Sequence, residues 1–179
     1  VEEEERIDLL TNYLRTPAGT MRLRPVQAQA LFEAHDYQGL FGPIRVSGGK
    51  TLISLLIPIV LEARAPMLIV PAALIEKTRT EARKLAQHWK LPTFLHIVSY
   101  QSLGRVSGAQ TLENINPDLI ICDEAHKLKN KRAAVTKRVS RFMHEHPDTR
   151  FIALTGTISK RSLHDFAHLL AWSLKLRTP

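Results

Sequence analysis

The sequence holds a single cysteine, Cys122, among 179 residues. An intramolecular disulfide is therefore impossible, and a thiolate zinc cluster has nothing to be built from. Cys122 lies inside an apolar run, which makes it a small core residue rather than a nucleophile. Long hydrophobic runs are missing too. The longest, Leu52 to Leu61, is too short to span a bilayer and contains Ser54 and Pro58. A secretory signal is absent, as are internal repeats and low-complexity tracts. These absences fit a reducing compartment without membrane attachment: cytoplasm or nucleoid, or the nucleus in a eukaryote. Acid is scarce relative to base, with 17 Asp and Glu against 25 Lys and Arg and a net charge of +8. The acids are front-loaded at Glu2 to Glu5, so the remaining body is more basic than the total suggests and favours a polyanionic partner.

A hydrophobic fraction of 44% with 23% charged residues excludes general disorder, and the length is sufficient for one substantial core. The chain begins at Val1 rather than at methionine, which suggests a piece of a longer protein.

The organising stretch is Leu119-Ile120-Ile121-Cys122-Asp123-Glu124-Ala125-His126. A buried strand ending in adjacent carboxylates delivers acids to the rim of a parallel sheet. Upstream, Gly48-Gly49-Lys50-Thr51 supplies what a phosphate loop needs. Glycines let backbone N–H groups approach phosphate, a lysine meets the terminal phosphates, and a hydroxyl meets the metal ion. The loop opens a helix, whose N-terminal dipole favours anions. The full pattern G-x-x-x-x-G-K-[ST] is not met, because Ile44 occupies the first glycine position. Alone, the tetrapeptide could be a glycine turn with a surface lysine, and Asp123-Glu124 a solvated strand end. Their order along an alternating chain argues against coincidence.

That alternation is legible throughout. Residues 1–16 pattern as an acidic amphipathic helix with Ile7, Leu10 and Leu14 on one face, broken by Pro17-Ala18-Gly19. With the linker to residue 20 this forms a separate N-terminal element, and residues 21–179 form the main domain. Pro25 opens a helix to about Ala34. Gly39 to Gly42 reads as a turn and Pro43 to Val46 as a short strand. Thr51 to Arg64 is an apolar helix with a kink at Pro58, and Met67 to Val70 a buried strand. A helix to Trp89 follows, its stripe being Ile75, Ala82, Ala86 and Trp89. Phe94 to Tyr100 and Leu119 to Cys122 are strands separated by loop and short helix. A helix from Ala133 to Phe142 and a strand from Phe151 to Leu154 come next. Ser162 caps a last helix through Leu176, with Leu163, Phe166, Ala167, Leu170 and Leu174 inward. The fold class is α/β, a mostly parallel central sheet with helices on both faces and ligands at the strand carboxyl ends.

These motifs together resemble the first RecA-like lobe of a P-loop superfamily-two helicase or translocase of the DEAH type. Within that group the chain is most similar to Swi/Snf-type remodellers and their phage and bacterial relatives. The resemblance runs from Met21 onward. Leu23-Arg24-Pro25-Val26-Gln27 resembles the adenine-recognition segment, with Gln27 the matching glutamine. Gly49-Lys50-Thr51 matches the phosphate loop, although Ser47 stands where a glycine is usual. Ile69 to Leu74, including Pro71 and Ala72, and Val98-Ser99-Tyr100 resemble segments lying along nucleic acid. Asp123 to Asn130 is the most specific match, since Lys129-Asn130 after the acidic box is typical of the remodeller branch. Leu154-Thr155-Gly156-Thr157 resembles the motif coupling the ATP site to nucleic acid, with Ile158 in place of the usual proline.

The resemblance implies ATP and Mg2+ as ligands. Gln27, Ser47, Gly48, Gly49, Lys50 and Thr51 would hold the nucleotide, with Thr51 and Asp123 on magnesium. Lys50 would stabilise phosphate charge and Glu124 would polarise the attacking water. His126, Thr155, Gly156 and Thr157 would couple hydrolysis to movement. Pro71, Ala72, Ser99, Tyr100, Lys129 and Lys131 would contact DNA, double-stranded by preference, with RNA left open. A second RecA-like lobe, normally in the same chain, would supply the arginines that complete the site. The alternative is a non-catalytic nucleic-acid or protein-binding module with a degenerate phosphate loop, favoured by Ile44 and Ser47. The basic run of Lys127, Lys129, Lys131, Arg132, Lys137, Arg138 and Arg141 suits phosphate contact or a solvated helix face equally. His164 and His168 have helical metal spacing, but Asp165 replaces the glutamate of the zinc-protease pattern and the helix is explained by its core stripe.

Overall fold

Alternating apolar and amphipathic stretches generate five strands and eight helices in the computed structural model, which describes residues 1–44, 49–156 and 164–175. The strands are β1 (Leu40–Pro43), β2 (Pro66–Val70), β3 (His96–Ser99), β4 (Leu119–Asp123) and β5 (Arg150–Thr155). All pair in parallel, in the order β1-β5-β4-β2-β3. Ile121 of β4 faces Leu68 of β2 on one side and Ile152 of β5 on the other, so β4 is central. Its five residues are all buried, as are those of β2, which is why both read as unbroken apolar runs.

Alternate side chains divide the core into two layers. Leu68, Val70, Leu119, Ile121, Ile152 and Leu154 point to one; Met67, Ile69, Ile120, Cys122, Phe151 and Ala153 point to the other. The first layer is covered by α1 (Glu2–Leu14), α2 (Pro25–Tyr37), α3 (Lys50–Val60) and α4 (Ile75–Leu85). The second is covered by α5 (Tyr100–Gly104), α6 (Thr111–Ile115), α7 (Ala134–Glu145) and α8 (Ala167–Leu174). Helices therefore lie on both faces of a parallel sheet, and every strand delivers its carboxyl end to one edge. No described helix is long and apolar enough to cross a membrane.

Several local expectations are corrected. The first strand is Leu40–Pro43, not Pro43 to Val46. Gly42 sits inside it, where an added Cβ would lie 3.3 Å from Leu154 Cδ2, and Pro43 is tolerated because β1 is an edge strand. Residues 45–48 lie outside the described residues. The apolar helix expected from Thr51 to Arg64 is α3, Lys50–Val60, with Pro58 in its last turn. Helix α4 stops at Leu85, and Ala86 is exposed. Trp89 is 1% exposed, but it lies beyond the helix in a β-bridge to Arg15. Tyr100 is not strand but the first residue of α5, whose N-cap Ser99 accepts from the Ser102 amide. The last helix begins at Ala167 after a 3-10 turn, His164–Phe166. Its inward residues are Phe166, Leu169, Ala171 and Ser173, whereas Ala167 and Leu174 are exposed. Ser162, Leu163 and Leu176 lie outside the described residues.

The N-terminal helix is joined to the body. Ile7 and Leu14 are buried in the first layer, and the Thr16 amide donates to the His88 carbonyl at 2.9 Å. The Lys90 amide returns to the Leu14 carbonyl at 2.8 Å.

Helix α8 is seated against β1 through Gly39, where a Cβ would come 1.7 Å from the Ser173 carbonyl oxygen. Gly39→Ala is expected to force that helix away from the sheet. Urea unfolding should show a loss of about 2 kcal/mol, the usual scale of overpacking, with faster amide exchange concentrated in residues 167–174.

Candidate active site

Two turns bring the site together. Gly49 caps α3 with φ 73°, a left-handed conformation that glycine adopts without strain. Its missing side chain matters, because a Cβ there would lie 2.1 Å from Gln27 Nε2. The second turn is Glu124, at φ 57° and ψ 51°, immediately after β4. A non-glycine residue held there stores on the order of 1–2 kcal/mol of backbone strain, a frequent mark of functional sites. The turn swings the Glu124 carboxylate back over the strand end, beside Asp123.

Between these turns lies Lys50. Its Nζ is 3.0 Å from Asp123 Oδ1 and also hydrogen-bonds Glu124 Oε1. Burial pulls the Lys50 pKa down, but the Glu124 hydrogen bond and the Asp123 charge outweigh it and leave it raised. Burial pushes the Asp123 carboxyl up, Lys50 opposes this, and the Glu124 charge adds to the rise. One ammonium thus holds two carboxylates in a space little exposed to water. Asp123 Oδ1 is buried and, despite the ion pair, lacks an aligned hydrogen bond. His126 Nδ1 approaches Glu124 Oε2 at 3.3 Å.

A cleft of about 560 Å3 opens beside this cluster, lined by Gln27, Gly49, Lys50, Thr51, Asp123 and Glu124. These residues fit a magnesium–nucleotide. The Asp123 carboxylate and the Thr51 hydroxyl offer hard oxygen ligands, Lys50 offers the cation, and Gly49 leaves backbone accessible at a helix start. Gln27 is buried. Its Oε1 accepts from the Arg24 amide at 2.8 Å and its Nε2 donates to the Gly49 carbonyl at 3.4 Å, which still leaves amide capacity toward a base. Ser47, Gly48 and Thr157 lie outside the described residues. Thr155 is buried at the end of β5, and its carbonyl accepts from the Ile44 amide at 2.9 Å. Ile44 itself is buried in the core, and Gly156 follows at the sheet edge. Unanticipated members of the lining include Arg24, Lys77, Thr78 and Glu81. Thr78, Glu81 and Leu85 share one face of α4, a mostly polar stripe that a search for apolar periodicity passes over.

The residues expected along nucleic acid divide. Ala72 is exposed and Pro71 half-buried, and Lys131 is exposed. Lys129 is half-exposed and pairs with Asp165 at 3.4 Å. Ser99 and Tyr100 are instead buried and bonded inward, so neither offers an exposed side chain to a polyanion. The basic run divides likewise. Arg138 donates to the Leu103 and Arg105 carbonyls and Arg141 lies 3.8 Å from Glu113, while Lys127, Arg132 and Lys137 are exposed. His168 uses Nε2 on the Leu128 carbonyl at 2.7 Å, and no group of three metal-ligating side chains occurs among the described residues.

Comparison with known proteins gives the chain a family and its fold a counterpart. The SNF2-related domain family matches residues 63–175. The chain belongs to that family, a helicase-like one. Its fold is similar to that of the UvsW helicase from bacteriophage T4, with a TM-score of 0.65 at 12% identity, covering 93% of this chain and 64% of that one. Among curated proteins, the chain is 39% identical over 57 residues to a transcriptional regulator ATRX homolog of Drosophila melanogaster. It is 40% identical over 55 residues to the Caenorhabditis elegans ATRX homolog. Those stretches cover 32% and 31% of this chain and 4% of each relative, so the chain spans a small part of their length.

Removing Lys50 leaves the buried Asp123 and the half-buried Glu124 carboxylates without their cation. Lys50→Ala should cost about 3 kcal/mol at pH 7 in denaturant unfolding. The sign of the pH dependence follows from Asp123. Without Lys50 its folded-state pKa rises further above the unfolded value, so the folded state holds that proton more tightly. The deficit should therefore be largest near neutrality and shrink as pH falls through the raised pKa.

Proposed function

We propose that this chain is the ATP-binding lobe of an ATP-dependent nucleic-acid translocase acting on DNA, duplex by preference. The observation that carries the reading is the convergence of Lys50, Asp123 and Glu124 beside Gly49 and Thr51 at the mouth of one cleft. Bound Mg-ATP would supply the phosphoryl group for transfer to water, and its metal would offset the charge that develops on phosphate. The chain's own residues divide the remaining work. Thr51 and Asp123 would hold the metal, and Lys50 would leave its carboxylate partners to meet phosphate charge. Glu124, released from Lys50, would orient the attacking water and accept its proton. His126, Thr155, Gly156 and Thr157 would couple hydrolysis to movement. Gln27 would read the adenine edge, with Ser47 and Gly48 completing the phosphate loop. Exposed Lys127, Lys131, Arg132 and Lys137 suit sequence-independent contact with a phosphate backbone.

A second RecA-like lobe would face this cleft and contribute the arginines that stabilise transition-state charge. Residues 21–179 would form the lobe, with residues 1–20 as the appended acidic helix and linker. A second reading is a binding module in which the Lys50 ion pairs are permanent, and the pairing of Lys50 with both acids favours it. DNA affinity measured with and without Mg-ATP separates the two, because a module is indifferent to nucleotide.

Calorimetric titration of Mg-ATP should show binding to the parent chain and none to Lys50→Ala. Hydrolysis by residues 1–179 alone should run orders of magnitude below that of a two-lobed enzyme, as expected when arginine fingers are missing. Absence of Mg-ATP binding by the longest available form of the protein, or helicase-like turnover by this chain alone, would overturn the reading.

A further inference from the structure

Tyr100 is a core residue with an unusual address. Its ring is buried in the second layer, and its hydroxyl donates to the Asp123 carbonyl at 2.7 Å. That carbonyl belongs to the peptide joining Asp123 to Glu124. Pairing of β2 with β4 ends one residue earlier, at Ile69 opposite Cys122. Just past the end of that ladder the chain must enter the left-handed turn at Glu124. The orientation of this one peptide sets where both carboxylates point.

We propose that Tyr100 is a positioning residue that fixes the Asp123–Glu124 peptide, and through it the metal-binding and water-orienting carboxylates; this rests on the reading of those acids given above. The phenol is well placed for the task. It stands at the start of α5, where the Ser102 amide donates to Ser99 Oγ and the Ser102 hydroxyl to the Ser99 carbonyl, both at 2.9 Å. Next to it, Gln101 Oε1 accepts from the Ala72 amide at 3.0 Å, tying α5 to the turn after β2. The hydroxyl therefore projects from a braced frame onto a strained one. Burial raises the phenol pKa well above its ordinary value, so it remains a donor throughout the physiological range. The bond satisfies a buried carbonyl and offsets part of the strain in the Glu124 turn.

Tyr100→Phe keeps the ring and removes only the hydroxyl. A matched control is Thr149→Val, which deletes a buried hydroxyl that donates to the Pro117 carbonyl at 2.9 Å near the other end of β4. The Lys127 amide, bonded to the Glu124 carbonyl at 3.0 Å, reports on the turn, and the Arg150 amide, bonded to Asp118, reports on the far end. In Tyr100→Phe, Lys127 should exchange about five-fold faster relative to Arg150, the worth of one ordinary hydrogen bond. The gain in ATP affinity on adding magnesium should fall about ten-fold, the usual scale for a lost supporting contact at a metal site. ATP affinity measured in EDTA should not change. Thr149→Val, which acts beside the Arg150 reporter, should instead speed exchange at Arg150 and leave both Lys127 and the magnesium gain unchanged. Equal effects of the two variants, or an unchanged Lys127-to-Arg150 ratio in Tyr100→Phe, would reduce Tyr100 to an ordinary core residue and overturn the proposal. If the parent shows no magnesium-dependent ATP binding, the functional reading fails on that arm, while the exchange ratio still decides whether Tyr100 positions the peptide.

Discussion

The ion triplet of buried Lys50 and Asp123 with half-buried Glu124 is the constraint around which the functional edge of this protein is arranged. Two acids on consecutive residues, at the end of a fully buried strand, repel one another and lose hydration together. They are held in place because the first residue of α3 lays an ammonium between them. That places the helix start and the β4 end within a few ångströms of each other, although the residues are 74 positions apart in the chain. The same cluster resists its own function. A phosphate and a metal must take over charges that now satisfy each other, so ligand binding is an exchange of partners rather than an addition to an open site.

The sheet makes this closeness possible. Five parallel strands put all their carboxyl ends on one edge, and helices on both faces bury the central strands β2 and β4 completely. Two left-handed residues, Gly49 and Glu124, then turn backbone over that edge from neighbouring elements. One is glycine and relaxed; the other carries a side chain and is strained. The difference follows from what each position must do, since Gly49 has to admit Gln27 at close range whereas Glu124 has to present a carboxylate.

Much of this was legible in the sequence for a physical reason: central strands buried on both faces leave unbroken apolar runs. Leu119 to Cys122 and Met67 to Val70 announce themselves, and the charged residues after β4 and beside Gly49 mark where each run reaches the edge. Legibility fell at the margins of the sheet. Gly39 to Gly42 read as a turn, yet β1 occupies Leu40–Pro43, because an edge strand needs neither periodicity nor freedom from glycine and proline. Trp89 read as part of a helical stripe, but it lies past the end of α4 in a backbone bridge to Arg15, a pairing that local pattern cannot encode. Tyr100 resembled a surface motif, and only the fold reveals that its hydroxyl turns inward. The triplet itself was half visible. The acids and the lysine were each identified for phosphate and metal, but their pairing with one another depends on three-dimensional placement.

The strand order has a consequence for how the protein comes into being. β1 leads into the glycine loop, yet among the described residues its only hydrogen-bonded neighbour is β5, the last strand in the chain. Leu40 must wait for Ile152. The pairs of β2 with β3 and with β4 are available far sooner as the chain emerges from the ribosome. On a growing chain, where long-range pairing is slow and is delayed until both partners exist, the loop side of the cleft is therefore the last part to be fastened. Until β5 is made, β1 has no strand to pair with, and the edge that carries the cleft is incomplete on that side.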